Sequence, residues 1–251
     1  MMVRALFCDY DGTLAPLRVS RANSKVPERL ARTLSRVHSL IPVAVVTAKD
    51  YGFVRSRTPF ADAWSCVYGI ETVLKNGKTT LLRPLPDFSG VLRTVRGLPG
   101  GASVEYKRAS TGELCGLCVE WKRSRSPSKA EIESNICRIR ALGFQVLHDP
   151  FYLRFDVIPA NGGKGAAVQH LQFALGVDGG VVFLGDSEAD NPAFRLSEVS
   201  IGVLSGSRMP KLDCRYYVMR DKLGDFLGSL VDNGLEFNDR LPHLSLVEAS
   251  S

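Results

Sequence analysis

The stretch VRALFCDYDGT, residues 3–13, decides the fold class. An apolar segment from Val3 to Cys8 runs directly into Asp9 and Asp11, and Gly12 follows. Residues two apart on an extended segment point the same way, so the two carboxylates can converge on one small volume. Glycine at the next position permits a sharp turn. The stretch therefore predicts a buried strand that ends at a pair of carboxylates.

Helix and strand patterns alternate in the first and last thirds of the chain. The first third predicts a helix over 27–39, a buried strand over 43–46 and a further strand over 65–68. The last third predicts a helix over 164–175 and an apolar strand over 181–184. Strands that are apolar on both faces and alternate with helices are typical of a parallel sheet covered on both sides. We therefore predict an α/β fold with a Rossmann-like parallel-sheet core.

The middle of the chain has a different pattern. A helix over 88–95 and a helix that opens with the capping box Ser128-x-x-Glu131 are each followed by two strand patterns. This α-β-β-α-β-β order predicts a small antiparallel sheet with two helices on one face. The expected domains are a discontinuous core of residues 1–82 and 159–237, an inserted α+β cap of residues 83–158, and a flexible tail of residues 238–251.

Polar residues follow the predicted core strands. Thr47 comes after the second strand, and Asp186 and Asp190 come after the strand of the last third. The reactive groups of an open parallel sheet lie at this carboxyl edge. Lys164 follows two glycines at a predicted helix start, where backbone N–H groups and an ammonium suit an anion. We expect these residues to form one site with the first two aspartates.

Four carboxylates at one edge of a sheet repel one another. Like charges a few ångströms apart cannot all stay ionised in a partly buried site without compensation. A hard divalent cation supplies this compensation, and Mg²⁺ suits carboxylates together with phosphate and water. We therefore predict a Mg²⁺ cofactor and an anionic substrate. The candidate metal ligands are Asp9, Asp11, Asp186 and Asp190.

The residue types predict phosphoryl transfer through a covalent intermediate. Asp9 is expected to attack phosphorus, and Asp11 to protonate the leaving oxygen and then to accept a proton from the hydrolytic water. Thr47 and Lys164 are expected to bind the oxygens of the transferring group. The prediction is a Mg²⁺-dependent phosphatase that acts on a small phosphate ester.

In their order along the chain, these motifs resemble those of the haloacid dehalogenase superfamily. They are Asp9-x-Asp11-Gly-Thr, Thr47 after a hydrophobic strand, Lys164, and Gly185-Asp186 with Asp190. The resemblance covers residues 3–82 and 161–218. An aspartate two residues after the first is typical of the superfamily's phosphatases and phosphomutases, and its dehalogenases lack it. The resemblance implies a phosphoric monoester hydrolase.

The inserted region resembles the α+β caps of the superfamily's sugar-phosphatase branch, where the match is best to the trehalose-6-phosphate phosphatases. VEYK at 104–107 matches their Val-Glu-x-Lys, and YGIE at 68–71 is similar to their His-Gly-x-Glu. FDVIP at 155–159 resembles their Glu-x-x-Pro. The resemblance implies that Glu105 and Lys107 contact the sugar.

The chain also departs from that family. Thr47-Ala48-Lys49 stands where Ser-Gly-Arg is usual, and Tyr68 stands where His is usual. Trehalose 6-phosphate, and hence a role in trehalose biosynthesis, is the leading prediction for the substrate. The alternatives are a phosphatase for phosphoglycolate or mannosyl-3-phosphoglycerate, a hexose-phosphate mutase, and a non-catalytic phosphate-binding sensor.

Composition argues against several other classes of function. The chain has a net charge of +6, but its basic residues are spread out, and the densest group, KRSR at 122–125, has no interleaved aromatic residues. No apolar run approaches the about 20 residues that cross a bilayer. Cys115 and Cys118 have half of a zinc-knuckle spacing without a second pair, which favours buried strand cysteines over a zinc or redox role. We expect a cytoplasmic monomer or homodimer that binds neither nucleic acid nor membranes.

Overall fold

The structure, a computed structural model, describes residues 1–17, 19–98, 101–121, 127–149, 153–206 and 210–247. The basic group at 122–125 lies outside the described residues. The chain forms two units. The core unit consists of Met1–Thr80 and Gly163–Ser251, and the inserted unit is Leu81–Gly162.

The described residues form thirteen strands and seven α-helices. The strands are β1 (Ala5–Asp9), β2 (Val43–Val46), β3 (Ala63–Cys66), β4 (Glu71–Leu74), β5 (Thr79–Leu81), β6 (Ser103–Arg108), β7 (Leu114–Glu120), β8 (Phe144–Asp149), β9 (Arg154–Pro159), β10 (Val181–Gly185), β11 (Val199–Leu204), β12 (Tyr216–Met219) and β13 (Ser245–Leu246). The helices are α1 (Glu28–His38), α2 (Tyr51–Val54), α3 (Ser89–Arg96), α4 (Lys129–Ala141), α5 (Lys164–Leu175), α6 (Asn191–Phe194) and α7 (Leu223–Asp232).

A nine-stranded sheet forms the centre of the core unit, in the order β13-β12-β11-β10-β1-β2-β3-β4-β5. The strands from β12 through β1 to β3 pair in parallel, whereas β13 and β4 pair antiparallel with their neighbours β12 and β3. The predicted α/β fold with a parallel-dominated sheet is therefore confirmed. β1 lies at its middle, between β10 and β2.

Both faces of this sheet are covered, which explains the apolar runs in its strands. On one face, Phe7 of β1 lies in a cluster with Val168 and Leu171 of α5. Leu6 and Cys8 point to the opposite face and are also fully buried. The middle of β1 is thus a core strand, and its polar residues come only at its carboxyl end.

The inserted unit has a four-stranded antiparallel sheet in the order β6-β7-β9-β8. The helices α3 and α4 pack on one face, where Val91, Ile136 and Ile139 cluster with Leu117 and Val157 of the sheet. The capping box at the start of α4 is also present, with both of its reciprocal hydrogen bonds. The α+β architecture predicted for the middle of the chain is confirmed.

The two cysteines with the zinc-knuckle spacing are both buried on β7. Cys115 is the extra residue of a β-bulge, since Lys107 pairs with Gly116 and Arg108 with Leu114. Burial, with a smaller contribution from Asp156, raises the pKa of Cys118 to about 12. The Cys118 thiol therefore stays protonated at neutral pH, which argues against a reactive thiolate at this position.

Three local features differ from the expectations. β3 ends at Cys66, two residues earlier than expected, because Val67 and Tyr68 have left-handed backbone angles. Residues 245 and 246, within the expected tail, form β13. The short helix α2 was not predicted. No helix among the described residues is long and apolar enough to cross a membrane.

Candidate active site

β1 brings Asp9 to the carboxyl edge of the core sheet as its last residue, with 4% of its surface exposed. Its Oδ1 accepts a hydrogen bond of 2.6 Å from Lys164 Nζ, and its Oδ2 accepts a longer one of 3.5 Å from Thr13 Oγ1. The turn that follows requires Gly12, which has a φ of +88° and approaches so closely that a Cβ would lie 1.9 Å from Asp186 Oδ2. Because β1 and β10 pair in parallel, with Cys8 opposite Leu184, Asp9 and Asp186 lie near each other although they are distant in sequence.

Lys164 is the first residue of α5 and is buried. Its Nζ donates hydrogen bonds of 2.6 Å to Asp9 Oδ1 and of 2.6 Å to Asp190 Oδ1. Burial alone would lower the pKa of Lys164, but the two carboxylates outweigh it and hold that pKa above its usual range. The ammonium therefore stays charged and joins β1 to the segment after β10.

Asp190 is fully buried and has donors on both oxygens. Besides the bond from Lys164 to Oδ1, its Oδ2 accepts from Asp186 N (3.1 Å), Ser187 N (3.0 Å) and Ser187 Oγ (3.1 Å). A carboxylate that already accepts these four bonds is a fixed partner for Lys164. Its Oδ2 accepts three of these bonds, whereas Oδ1 accepts the one from Lys164 and keeps a lone pair that a metal ion could use.

Three of the four predicted aspartates form a group that suits a metal ion. Ligand oxygens of Asp9, Asp186 and Asp190 lie within 4.8 Å of one another. Burial raises the pKa of Asp9 to about 7; Lys164 opposes this shift, and Asp190 adds to it. Burial and the charges of Asp9 and Asp190 also raise the pKa of Asp186. Since one ammonium faces three carboxylates, a divalent cation with oxygen ligands would relieve the remaining repulsion.

Asp11 is not part of this group in the described part of the chain. Its Oδ2 lies 3.3 Å from Lys49 Nζ, and its Oδ1 accepts a hydrogen bond of 3.4 Å from Ser24 Oγ. Nearly a third of its side chain is exposed (31%). The carboxylate of Asp11 thus lies outside the candidate metal group of the described residues, whereas the sequence predicted it as a fourth metal ligand. Lys49 was not predicted as the partner of Asp11, although its place in the segment Thr47-Ala48-Lys49, where arginine is usual, was a signal.

Thr47 lies beside the end of β1, because the parallel register pairs Asp9 with Val46. It is buried, and its Oγ1 accepts a hydrogen bond of 3.1 Å from Lys49 N. The four sequence motifs of the core unit therefore do meet at one edge of the sheet.

Glu105 and Lys107 lie two residues apart on β6, on the face of the inserted sheet opposite α3 and α4. Lys107 is buried, and its Nζ is 3.4 Å from Asp156 Oδ1. The register aligns Glu105 with Cys118 and then with Asp156 across three strands. This face of the inserted unit therefore carries a polar row of Glu105, Lys107 and Asp156, of which Asp156 was not predicted as a site residue.

No protein-family model matches the chain. Among curated proteins, probable trehalose-phosphate phosphatase J of Arabidopsis thaliana is 26% identical over 254 residues, which are 90% of this chain and 67% of that protein. Probable trehalose-phosphate phosphatase 3 of Oryza sativa subsp. japonica is 25% identical over 261 residues, 90% of this chain and 69% of that protein.

Solved structures with the same architecture cover nearly the whole chain. The C-terminal domain of trehalose-6-phosphate phosphatase from C. albicans aligns with a TM-score of 0.71 at 15% identity, over 94% of each chain. A haloacid dehalogenase superfamily phosphatase from Bacteroides thetaiotaomicron aligns with a TM-score of 0.70 at 18% identity, over 94% of this chain and 96% of that one. The fold is that of the haloacid dehalogenase phosphatases.

The resemblance inferred from the motifs is confirmed by both comparisons. Curated relatives are named as trehalose-phosphate phosphatases, and the neighbouring structures include phosphatases of the haloacid dehalogenase superfamily. The predicted enzyme class, a phosphoric monoester hydrolase, is that of these relatives.

Proposed function

We propose that the chain is a Mg²⁺-dependent phosphatase in which Asp9 is the nucleophile. The observation that carries this proposal is the position of Asp9, buried at the end of β1 between Lys164 and Asp186. An attacking carboxylate must be ionised and must be aimed at phosphorus. The ammonium 2.6 Å from its Oδ1 stabilises the ionised form, and Oδ2 accepts a long hydrogen bond of 3.5 Å from Thr13 Oγ1.

The reaction then proceeds in two steps. Oδ2 of Asp9 attacks phosphorus, the bond from phosphorus to the ester oxygen breaks, and Asp11 gives its proton to the leaving oxygen. A water molecule next attacks the phosphorus of the aspartyl-phosphate, Asp11 takes up the proton of this water, and phosphate leaves with Asp9 regenerated. Thr47 and Lys164 hold the phosphate oxygens through both steps.

The donor set at this edge fits Mg²⁺, with Asp9 and Asp186 as its carboxylate ligands. When bound, the ion supplies positive charge that neutralises the phosphate oxygens and the crowded carboxylates. Asp190, whose oxygens already accept four hydrogen bonds, acts by holding Lys164.

The substrate that we propose is trehalose 6-phosphate. The names of the curated relatives support this choice. The inserted unit adds a polar row of Glu105, Lys107 and Asp156, with groups of both charges that suit the hydroxyls of a sugar. The proposal assigns Glu105 and Lys107 to recognition of the sugar.

Phosphate release from a panel of esters tests these proposals. The panel contains trehalose 6-phosphate, glucose 6-phosphate, phosphoglycolate, mannosyl-3-phosphoglycerate and p-nitrophenyl phosphate. We expect the highest kcat/KM for trehalose 6-phosphate, loss of activity in EDTA, and recovery with MgCl₂. A higher kcat/KM for another ester would reject the substrate, and no hydrolysis of any ester would reject the phosphatase.

The variant Asp9→Asn tests the covalent route. It removes the nucleophile and keeps the shape of the side chain, so turnover should fall by about a thousandfold or more. Asp178→Asn, the same change at an exposed aspartate, is the control and should retain wild-type turnover. Wild-type turnover by Asp9→Asn would show that this residue is not the nucleophile.

A further inference from the structure

Residues 67–69, directly after β3, form a left-handed turn. The φ angles of Val67, Tyr68 and Gly69 are 48°, 55° and 85°. A non-glycine residue rarely adopts positive φ, and for a β-branched or bulky one it is a strained conformation. Val67 and Tyr68 are nevertheless both buried there. Such strain persists only where the surrounding structure holds the chain in place, and it is concentrated at functional sites.

The main chain of this turn is hydrogen bonded to two segments of the candidate active site. Val67 N–H donates to the carbonyl of Lys49 (3.1 Å), and Tyr68 N–H donates to the carbonyl of Thr47 (2.9 Å). The Tyr68 carbonyl accepts from Gly163 N–H at 2.7 Å. One side of the turn is therefore bound to the segment after β2, and the other side to the residue before Lys164.

Gly69 allows the turn to lie directly against the start of α5. A Cβ at this position would lie 2.9 Å from the carbonyl oxygen of Gly163 and 3.0 Å from Ala167 Cβ. Any side chain here would push the turn and the start of α5 apart. The close approach and the positive φ both require glycine.

We propose that the turn at residues 67–69 is a positioning element for catalysis: its main chain fixes the distance between Thr47 and Lys164. A right-handed or extended chain at 67 and 68 would turn the Tyr68 N–H away from the Thr47 carbonyl and the Tyr68 carbonyl away from Gly163. The left-handed turn satisfies these bonds while its Tyr68 carbonyl holds Gly163. The inference rests on the proposed function, because both ends of the turn serve the phosphate-binding residues of that same site.

Two glycine-to-alanine substitutions, at positions with nearly the same positive φ, test this proposal. Gly69→Ala adds a Cβ at φ +85° against Gly163 and Ala167. Gly77→Ala, in the turn between β4 and β5, adds one at φ +88° with no atom within 4 Å. Both variants carry the strain of a left-handed alanine, but only the first displaces the start of α5. We expect kcat of Gly69→Ala to fall by about tenfold or more, and kcat of Gly77→Ala to stay close to wild type.

A binding measurement separates this inference from the proposed function. Inorganic phosphate in MgCl₂ is titrated into each protein by calorimetry, at a temperature well below every melting transition. Gly69→Ala should bind phosphate about tenfold more weakly than Gly77→Ala. If the wild type hydrolyses no ester of the panel, the phosphatase proposal fails, and this comparison still decides the role of the turn. Equal phosphate binding and equal kcat in Gly69→Ala and Gly77→Ala would overturn the proposed role of the turn.

A second pair of variants applies if Gly69→Ala does not fold. Tyr68→Gly and Tyr68→Ala both remove the aromatic ring, but glycine adopts positive φ without cost and alanine does not. We expect Tyr68→Gly to retain the higher kcat and the tighter phosphate binding. Equal values in this pair would show that the left-handed main chain does not position the site.

Discussion

At the scale of single residues, Lys49 and Asp11 form an ion pair that lies outside the group of Asp9, Asp186 and Asp190 in the described part of the chain. The side chains of Lys49 and Asp11 are 26% and 31% exposed, and their charged atoms are 3.3 Å apart. A pair this accessible to water contributes about 1 kcal/mol or less to stability. In the proposed mechanism, we expect this pair to orient the Asp11 carboxylate toward the leaving oxygen.

Lys49→Met is predicted to impair catalysis more than stability. It keeps the length of the side chain and removes the charge that orients Asp11, so kcat should fall by about tenfold, with a small change in melting temperature. Lys49→Arg should restore most of kcat, because a guanidinium can pair with the same carboxylate. Lys78→Met, at an exposed lysine of the β4–β5 turn, is the control. Wild-type kcat in Lys49→Met, or equal loss in Lys49→Arg, would contradict this role.

The sequence predicted which aspartates of the site lie close together, but not all of the hydrogen bonds that they accept. Asp9, Asp186 and Asp190 were expected together because parallel strands end at one edge of a sheet, and the structure brings their oxygens within 4.8 Å. The bonds from Ser187 to Asp190 form a local capping box, which the spacing Ser187-x-x-Asp190 could have indicated. The bond from Lys164 Nζ to Asp190 Oδ1 could not be predicted, because it joins residues 26 apart and depends on how α5 packs beside the segment after β10.

At the scale of elements, the sequence predicted the long helices and strands well, but it did not predict the shortest elements. The helix expected over 164–175 is α5, with the same bounds, because a long periodic segment specifies its own structure. α2 has only four residues, too few for any periodicity to be visible. β3 was expected to continue to Tyr68, since valine and tyrosine favour strands. The hydrogen bonds to Thr47, Lys49 and Gly163 override that preference.

The position of Glu105 on β6 leads to a prediction about substrate specificity. Glu105 is exposed on the polar face of this strand, so Glu105→Gln should change stability by less than about 0.5 kcal/mol. If the carboxylate accepts hydrogen bonds from the sugar, KM for trehalose 6-phosphate should rise by about tenfold. KM for p-nitrophenyl phosphate, which has no sugar, should not change.

The control for this prediction is Glu133→Gln, the same substitution at an exposed position of α4. It should leave KM unchanged for both substrates. An equal rise of KM for the sugar phosphate and the aryl phosphate in Glu105→Gln would remove this residue from sugar recognition.

At the scale of the whole molecule, the order of elements along the chain was sufficient to predict two units, each with its own sheet. The sequence predicted a parallel core sheet and an inserted antiparallel sheet. It did not predict the strand order or the register within each sheet, because both depend on pairing between strands that are distant in sequence. β13 illustrates the limit, because Ser245 and Leu246 are ordered by pairing with β12 and carry no strand pattern of their own.

The stability of the whole molecule should depend on pH and Mg²⁺ together. The pKa of Asp9 is raised to about 7, and the pKa of Asp186 is raised above its ordinary value, both mainly by burial. The folded chain therefore binds protons more tightly than the unfolded chain, so without metal its stability falls as pH rises from about 4 to about 7. A dication that binds the ionised carboxylates competes with these protons. Its stabilisation should therefore grow over the same range.

We predict that MgCl₂ raises the melting temperature more at about pH 8 than at about pH 5, as measured by differential scanning fluorimetry. Asp186→Asn should lose most of this increment because it removes a carboxylate ligand, whereas the exposed-site control Asp178→Asn should keep it. Equal increments at the two pH values would mean that protons and Mg²⁺ do not compete for Asp9 and Asp186. In that case the ion that stabilises the protein would have to bind away from this edge of the sheet, and the crowding of carboxylates would need another explanation.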